Sequence, residues 1–102
     1  MADAYVALLL VHLHFPEAGS LKAKRKDLAS VKAQLHGRMG CAVAEVDHQD
    51  LWQRATLAVS LTGGSATVLD HAADGVERFL HERFPETCRI ERTLRSYDEI
   101  WG

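Results

Sequence analysis

Three groups of residues in this chain have types and spacings that could do chemistry. The first is Lys22-Ala23-Lys24-Arg25-Lys26. Four cations in five residues repel one another, and at a helix start they oppose the macrodipole, which favours negative charge there. Together with the free N–H groups of a first helical turn, Lys22, Lys24, Arg25 and Lys26 would suit a phosphate or an RNA backbone. The competing reading is a solvated helix face whose long stems shield apolar neighbours.

The second group is the dense polar stretch 45–54, with His48, Gln49, Asp50, Trp52 and Arg54 as residues that could bind a partner. His48 beside Asp47 and Asp50 could supply a base, but no Ser or Cys is adjacent in sequence to act as nucleophile. A purely structural hairpin, with aspartates closing the turn and Trp52 on the sheet edge, is the competing reading. The third group is His12 and His14, two residues apart on one strand, with Glu45 expected on the same sheet face and Arg54 beside it. Two imidazoles and a carboxylate could hold zinc. Any strand with alternating histidines gives this spacing, however, so an unmetallated polar face is the expectation.

Composition narrows the classes. The 102 residues are 47% apolar, with 12 cations, 14 acids and a formal charge of −2. That fits one domain able to bury a core without a disulfide or metal, and it excludes intrinsic disorder. The near-neutral sum hides a segregation. Residues 22–38 hold six cations and one acid, so this stretch is +5 and the remainder −7. Cys41 and Cys88 form no CxxC pair, which suits a reduced cytosol. An acid at position 3 and the lack of a long apolar run argue against a signal peptide or membrane span. We therefore expect a cytoplasmic protein with no cofactor and no membrane partner.

The elements that must position these groups follow from periodicity. Residues 5–15 are almost continuously apolar and read as a central strand covered on both faces as far as His12 and His14. A loop with Pro16 and Gly19 follows. Ser20 then caps a helix whose apolar positions are Leu21, Leu28, Val31 and Leu35, and Gly37 and Gly40 end it. Residues 41–47 and 54–62 read as strands. In the latter, Ala55, Leu57, Val59 and Leu61 alternate with Arg54, Thr56, Ala58 and Ser60. Ser65 caps a second helix with Val68, Leu69, Ala72, Ala73, Val76, Phe79 and Leu80 on its stripe. A last strand at 87–95 leads into a short tail. The order β-α-β-β-α-β predicts an α+β, ferredoxin-like split βαβ fold: a four-stranded antiparallel sheet with two helices on one face, in a single domain over 1–102.

SLKAKR at 20–25 and AEVDHQDLWQRATLAV at 44–59, with LHFP at 13–16 and VERFLHERFPE at 76–86, resemble the YlxP-like family of small bacterial proteins. The resemblance spans nearly the whole chain. It implies a ferredoxin-like fold and genes set near those for translation initiation and ribosome maturation. It carries over no catalytic residues, because none is defined for the family.

Several functions built on this fold fail on missing residues. An RNA-recognition-motif reader needs aromatics on its central strands, and 54, 56, 58 and 60 supply none. An acylphosphatase-like site needs a first-loop arginine and an asparagine, but residues 15–19 hold no arginine and the chain has no asparagine. A metallochaperone or iron–sulfur protein needs clustered cysteines. The expected function is a non-enzymatic binding module that touches RNA or a ribosomal subunit through the basic helix start. The alternative is a protein-binding or self-associating module, such as a homodimer, that uses the open sheet face or edge. No small-molecule substrate is indicated.

Overall fold

The computed structural model describes residues 3–101. Its elements are β1 (Tyr5–His14), α1 (Leu21–Met39), β2 (Ala42–Asp47), β3 (Arg54–Gly63), α2 (Ala66–Arg83), β4 (Cys88–Ser96) and a short α3 (Tyr97–Trp101). The strands form one antiparallel sheet in the order β2-β3-β1-β4. This is the expected split βαβ sheet, and α3 is an addition within the predicted tail.

Local sequence sets the helix limits. Ser20 Oγ accepts from the Ala23 N–H at 3.1 Å, and Ser65 Oγ accepts from the Val68 N–H at 3.3 Å, so each serine satisfies a free first-turn donor. At the far end of α1, Gly40 takes the left-handed conformation (φ 70°) that favours glycine, and its N–H bonds to the His36 carbonyl. The helix runs through Gly37, contrary to expectation, because a glycine inside a helix only weakens it.

The core lies between the helices and one sheet face. Ala7, Leu9, Val11 and Leu13 of β1 and Ala55, Leu57, Val59 and Leu61 of β3 meet Leu28, Val31 and Leu35 of α1 and Leu69, Ala73, Val76 and Leu80 of α2. Val68 and Ala72, placed on the α2 stripe from sequence, point outward. The fully buried stripe is narrower because α2 meets the sheet chiefly along the 69-73-76-80 line, with Phe79 partly buried beside it.

The expectation that both faces of β1 are covered is also overturned. Both helices lie on the odd-numbered side, so Val6, Leu8, Leu10, His12 and His14 stand on an open face, with Leu8 45% exposed. The two imidazoles thus continue a partly exposed row instead of ending a covered one.

Candidate functional site

One end of the open face is built from β1, β3, β4 and the β2–β3 connection. Register sets its first layer: His14 lies opposite Arg54 on β3, and His12 lies between Thr56 on β3 and Arg89 on β4. The His14 N–H continues the ladder to the Thr87 carbonyl at 3.0 Å, and the Phe15 N–H reaches the Gln53 carbonyl at 2.7 Å.

Residues 48–53 are folded around a buried cation. Lys24 is 1% exposed. Its Nζ donates toward the carbonyls of Leu51 (2.6 Å), His48 (2.9 Å), Arg54 (3.0 Å) and Gln49 (3.4 Å), and to Glu45 Oε2 at 3.2 Å. An ammonium has three N–H donors. Five acceptors therefore share them, and the connection wraps Lys24 as a cage. Its first residue, His48, adopts φ 64°. The His48 N–H bonds to Asp47 Oδ1 at 2.8 Å, and its carbonyl also accepts from the Leu51 N–H at 3.1 Å. This turn lays the His48 ring on the sheet, with Nδ1 3.1 Å from Thr56 Oγ1.

The result is a groove of about 420 Å³ lined by His12, His14, His48, Arg54, Thr56 and Arg89, among others. A second groove of about 390 Å³ adjoins it. His14 and Arg54 belong to both, and Trp52 (50% exposed), Asp50 and Leu21 complete the second. His12 Nε2 lies 2.9 Å from Glu91 Oε2, and Arg89 lies 3.8 Å from the same carboxylate. The bond from His12 and the nearby Arg89 charge hold the Glu91 carboxyl below its usual range. Burial, reinforced by Glu77, pushes the Cys88 thiol on the groove wall up to about 11, so it stays protonated near neutrality and is a poor nucleophile. What remains is a concave surface on which two permanent cations and three imidazoles outnumber one acid, Glu86, and which is suited to holding an anion. Among the described residues no group of three or more His, Cys, Asp and Glu is arranged to hold a metal ion.

His12, His14, His48 and Arg54 therefore converge, Asp50 lines the second groove, and Gln49 stands exposed outside both, its amide donating to the Glu45 carbonyl at 3.4 Å. Two residues are corrected. Lys24 cannot contact an RNA phosphate, because it is buried in the cage. Glu45 does not share a face with His12 and His14. It lies opposite Leu57, a core-facing residue, and turns toward α1 and Lys24. The register shift between Glu45 and Asp47, which passes over Val46, then returns Asp47 to the level of Thr56. Lys22, Arg25 and Lys26 are exposed. At about 100° per residue, Lys22 and Lys26 project almost opposite to Lys24, and Arg25 lies on the flank of Leu21. Sequence reasoning missed Arg89 and Glu91. Their signal was their alternation along β4 in the phase that the antiparallel ladder places beside His12 and Leu10.

The family model described as "Protein of unknown function (DUF503)" matches residues 6–93. Uncharacterized protein YlxP of Bacillus subtilis (strain 168) is 31% identical over 78 residues, covering 76% of this chain and 80% of that protein. Among solved structures, the de novo designed protein Foldit4 superposes with a TM-score of 0.61 at 7% identity, over 90% of this chain and 96% of that one. The 30S ribosomal protein S6 from Thermotoga maritima gives a TM-score of 0.47 at 13% identity, over 99% and 94%. These structural likenesses concern fold alone.

Proposed function

The chain belongs to the DUF503 family of proteins of unknown function, and from that premise we propose that it is a non-enzymatic module that binds single-stranded RNA at the end of its open sheet face. One observation carries the reading: His14 and Arg54, register partners, are shared by an imidazole- and arginine-lined groove and a groove containing an exposed tryptophan. Arg54 and Arg89 would hold backbone phosphates, and Trp52 would stack a base beside them. Lys22, Arg25 and Lys26 would add long-range attraction from the neighbouring helix start, with no part for Lys24. The translation-related gene setting that the YlxP-like resemblance implies favours RNA, and a ribosomal subunit is the natural larger partner.

The test is binding of a fluorescent oligoribonucleotide across a salt series. Binding should weaken steeply with salt, and Arg54→Ala with Arg89→Ala should lower the log–log slope by roughly 1.4, two contacts at ~0.7 each for a single strand. The loss should be similar for different sequences, while Trp52→Ala should cost about 1–3 kcal/mol. Salt-independent binding, or unchanged binding in the double variant, would overturn the reading. Co-sedimentation with ribosomal subunits at low and high salt asks the same question of the larger partner.

A further inference from the structure

The sheet has two edges of different character. β2 is six residues long and its ladder shifts at Val46, which bends that edge away from straight pairing. β4 is nine residues long, contains no proline and pairs with β1 without a shift. A long straight edge presents a row of unpaired N–H and C=O groups. Which residues supply that row follows from the ladder. The Tyr97 N–H bonds to the Ala4 carbonyl and the His14 N–H to the Thr87 carbonyl. Odd-numbered β4 residues therefore face β1, and Ile90, Arg92 and Leu94 turn their backbone groups outward. The Ser96 N–H is taken by Glu99 Oε1, which leaves its carbonyl.

We propose that β4 pairs with β4 of a second copy of this chain, antiparallel, about a two-fold axis at Thr93. The side chains select this occupant and this register. On the open face, Glu91 of each copy falls opposite Arg95 of the other, Arg89 falls opposite Tyr97, and Thr93 meets Thr93. Opposite charges across a ladder stabilise it and like charges oppose it. An axis at Glu91 sets Glu91 against itself, and an axis at Arg92 sets Arg89 against Arg95. An axis at Ile90 also sets Arg89 against Glu91, but it runs the ladder toward the left-handed Glu86. The Thr93 axis avoids that turn and adds Arg95 to Glu91, which His12 and Arg89 flank in its own chain, while Arg95 has only Glu99 beside it at 3.9 Å. On the helix side, Arg92 would be an unpaired charge at the edge, but Asp70, Asp74 and Glu77 of α2 hold its guanidinium against the helix. Its stem can then lie against Leu94 of the other copy. The product is an isologous dimer with a continuous eight-stranded sheet and both open faces on one side.

Sedimentation equilibrium, with light scattering, gives the test. The wild type should show a mass near twice 11.3 kDa. Arg95→Glu should weaken the dimer by about tenfold or more, since two attractive pairs become repulsive, and adding Glu91→Arg should restore it. Thr93→Cys should form a covalent dimer when a thiol oxidant such as diamide is added, because opposed residues at a non-hydrogen-bonded pair sit close enough to bridge. A mass of 11.3 kDa at every concentration, or a dimer indifferent to both single charge reversals, would overturn the proposal. None of these outcomes depends on RNA binding.

Discussion

At the scale of single residues, the most consequential side chain is Lys24. A buried ammonium is tolerated only when its donors and its charge are matched, and here four carbonyls and Glu45 do so. Removing one partner leaves the others desolvated and unpaired. Lys24→Met, which keeps the stem, should lower stability by about 3 kcal/mol in urea unfolding. Adding Glu45→Leu should recover part of that loss, because a well-packed apolar pair avoids the orphaned carboxylate. A single-variant cost under ~1 kcal/mol would mean that the cage contributes little. The position was legible in hindsight from phase: Leu21, Lys24, Leu28, Val31 and Leu35 recur at three- and four-residue steps, so Lys24 occupies a core-stripe slot. Its chemistry drew it into the exposed basic run, because a charge in a dense cationic segment reads as solvated. Only the tertiary partner, contributed from residues 45–54, reverses that.

The same device links whole elements. Arg92 stands in the inward row of β4 with Cys88, Ile90 and Leu94, and Asp70, Asp74 and Glu77 recur at i, i+4 and i+7 on the facing side of α2. The bond from Arg92 holds the Asp74 carboxyl below its ordinary 3.8, and, although burial opposes its charge, bonds to Glu77, Asp74 and Asp70 hold the arginine firmly protonated. A carboxylate lowered in the folded state adds stability above its unfolded value and loses it as pH falls through the folded value. Arg92→Leu should therefore lower Tm by about 5 °C at pH 7, where it also leaves three acids facing one another. The difference from wild type should begin to close once pH falls below about 4, and go on closing as the lowered Asp74 carboxyl takes up its proton. A difference that persists unchanged at low pH would assign the loss to packing. Strand and helix placement was readable for β1–β4, α1 and α2 because their apolar residues repeat at two or at three to four. The five residues of α3 hold less than two turns, too little for a period to show. The covered face of β1 was misread for a related reason. A continuous apolar run reports hydrophobicity without saying on which sides the helices lie, and Leu8 and Leu10 on the open face look identical in sequence to Leu9.

For the whole molecule, the groove and the β4 edge make one geometric claim. Pairing about Thr93 puts Arg89 of the two copies eight strand positions apart, or about 27 Å along the strands. Both grooves would open on the same side of the eight-stranded sheet. A single RNA strand long enough to cross from one groove to the other would then bind both, and its second contact would form at the high effective concentration set by the first. An oligoribonucleotide of about 20 nucleotides should bind wild-type protein more than tenfold tighter than one of about 6, beyond the gain expected from the extra overlapping sites. In the monomeric Arg95→Glu variant the short strand should bind nearly as before, since Arg95 lies at the far end of β4 from Arg89, while the extra affinity of the long strand should disappear. Adding Glu91→Arg should bring it back along with the dimer. Equal length dependence in wild type and Arg95→Glu would show that the two grooves act separately, whatever the oligomeric state.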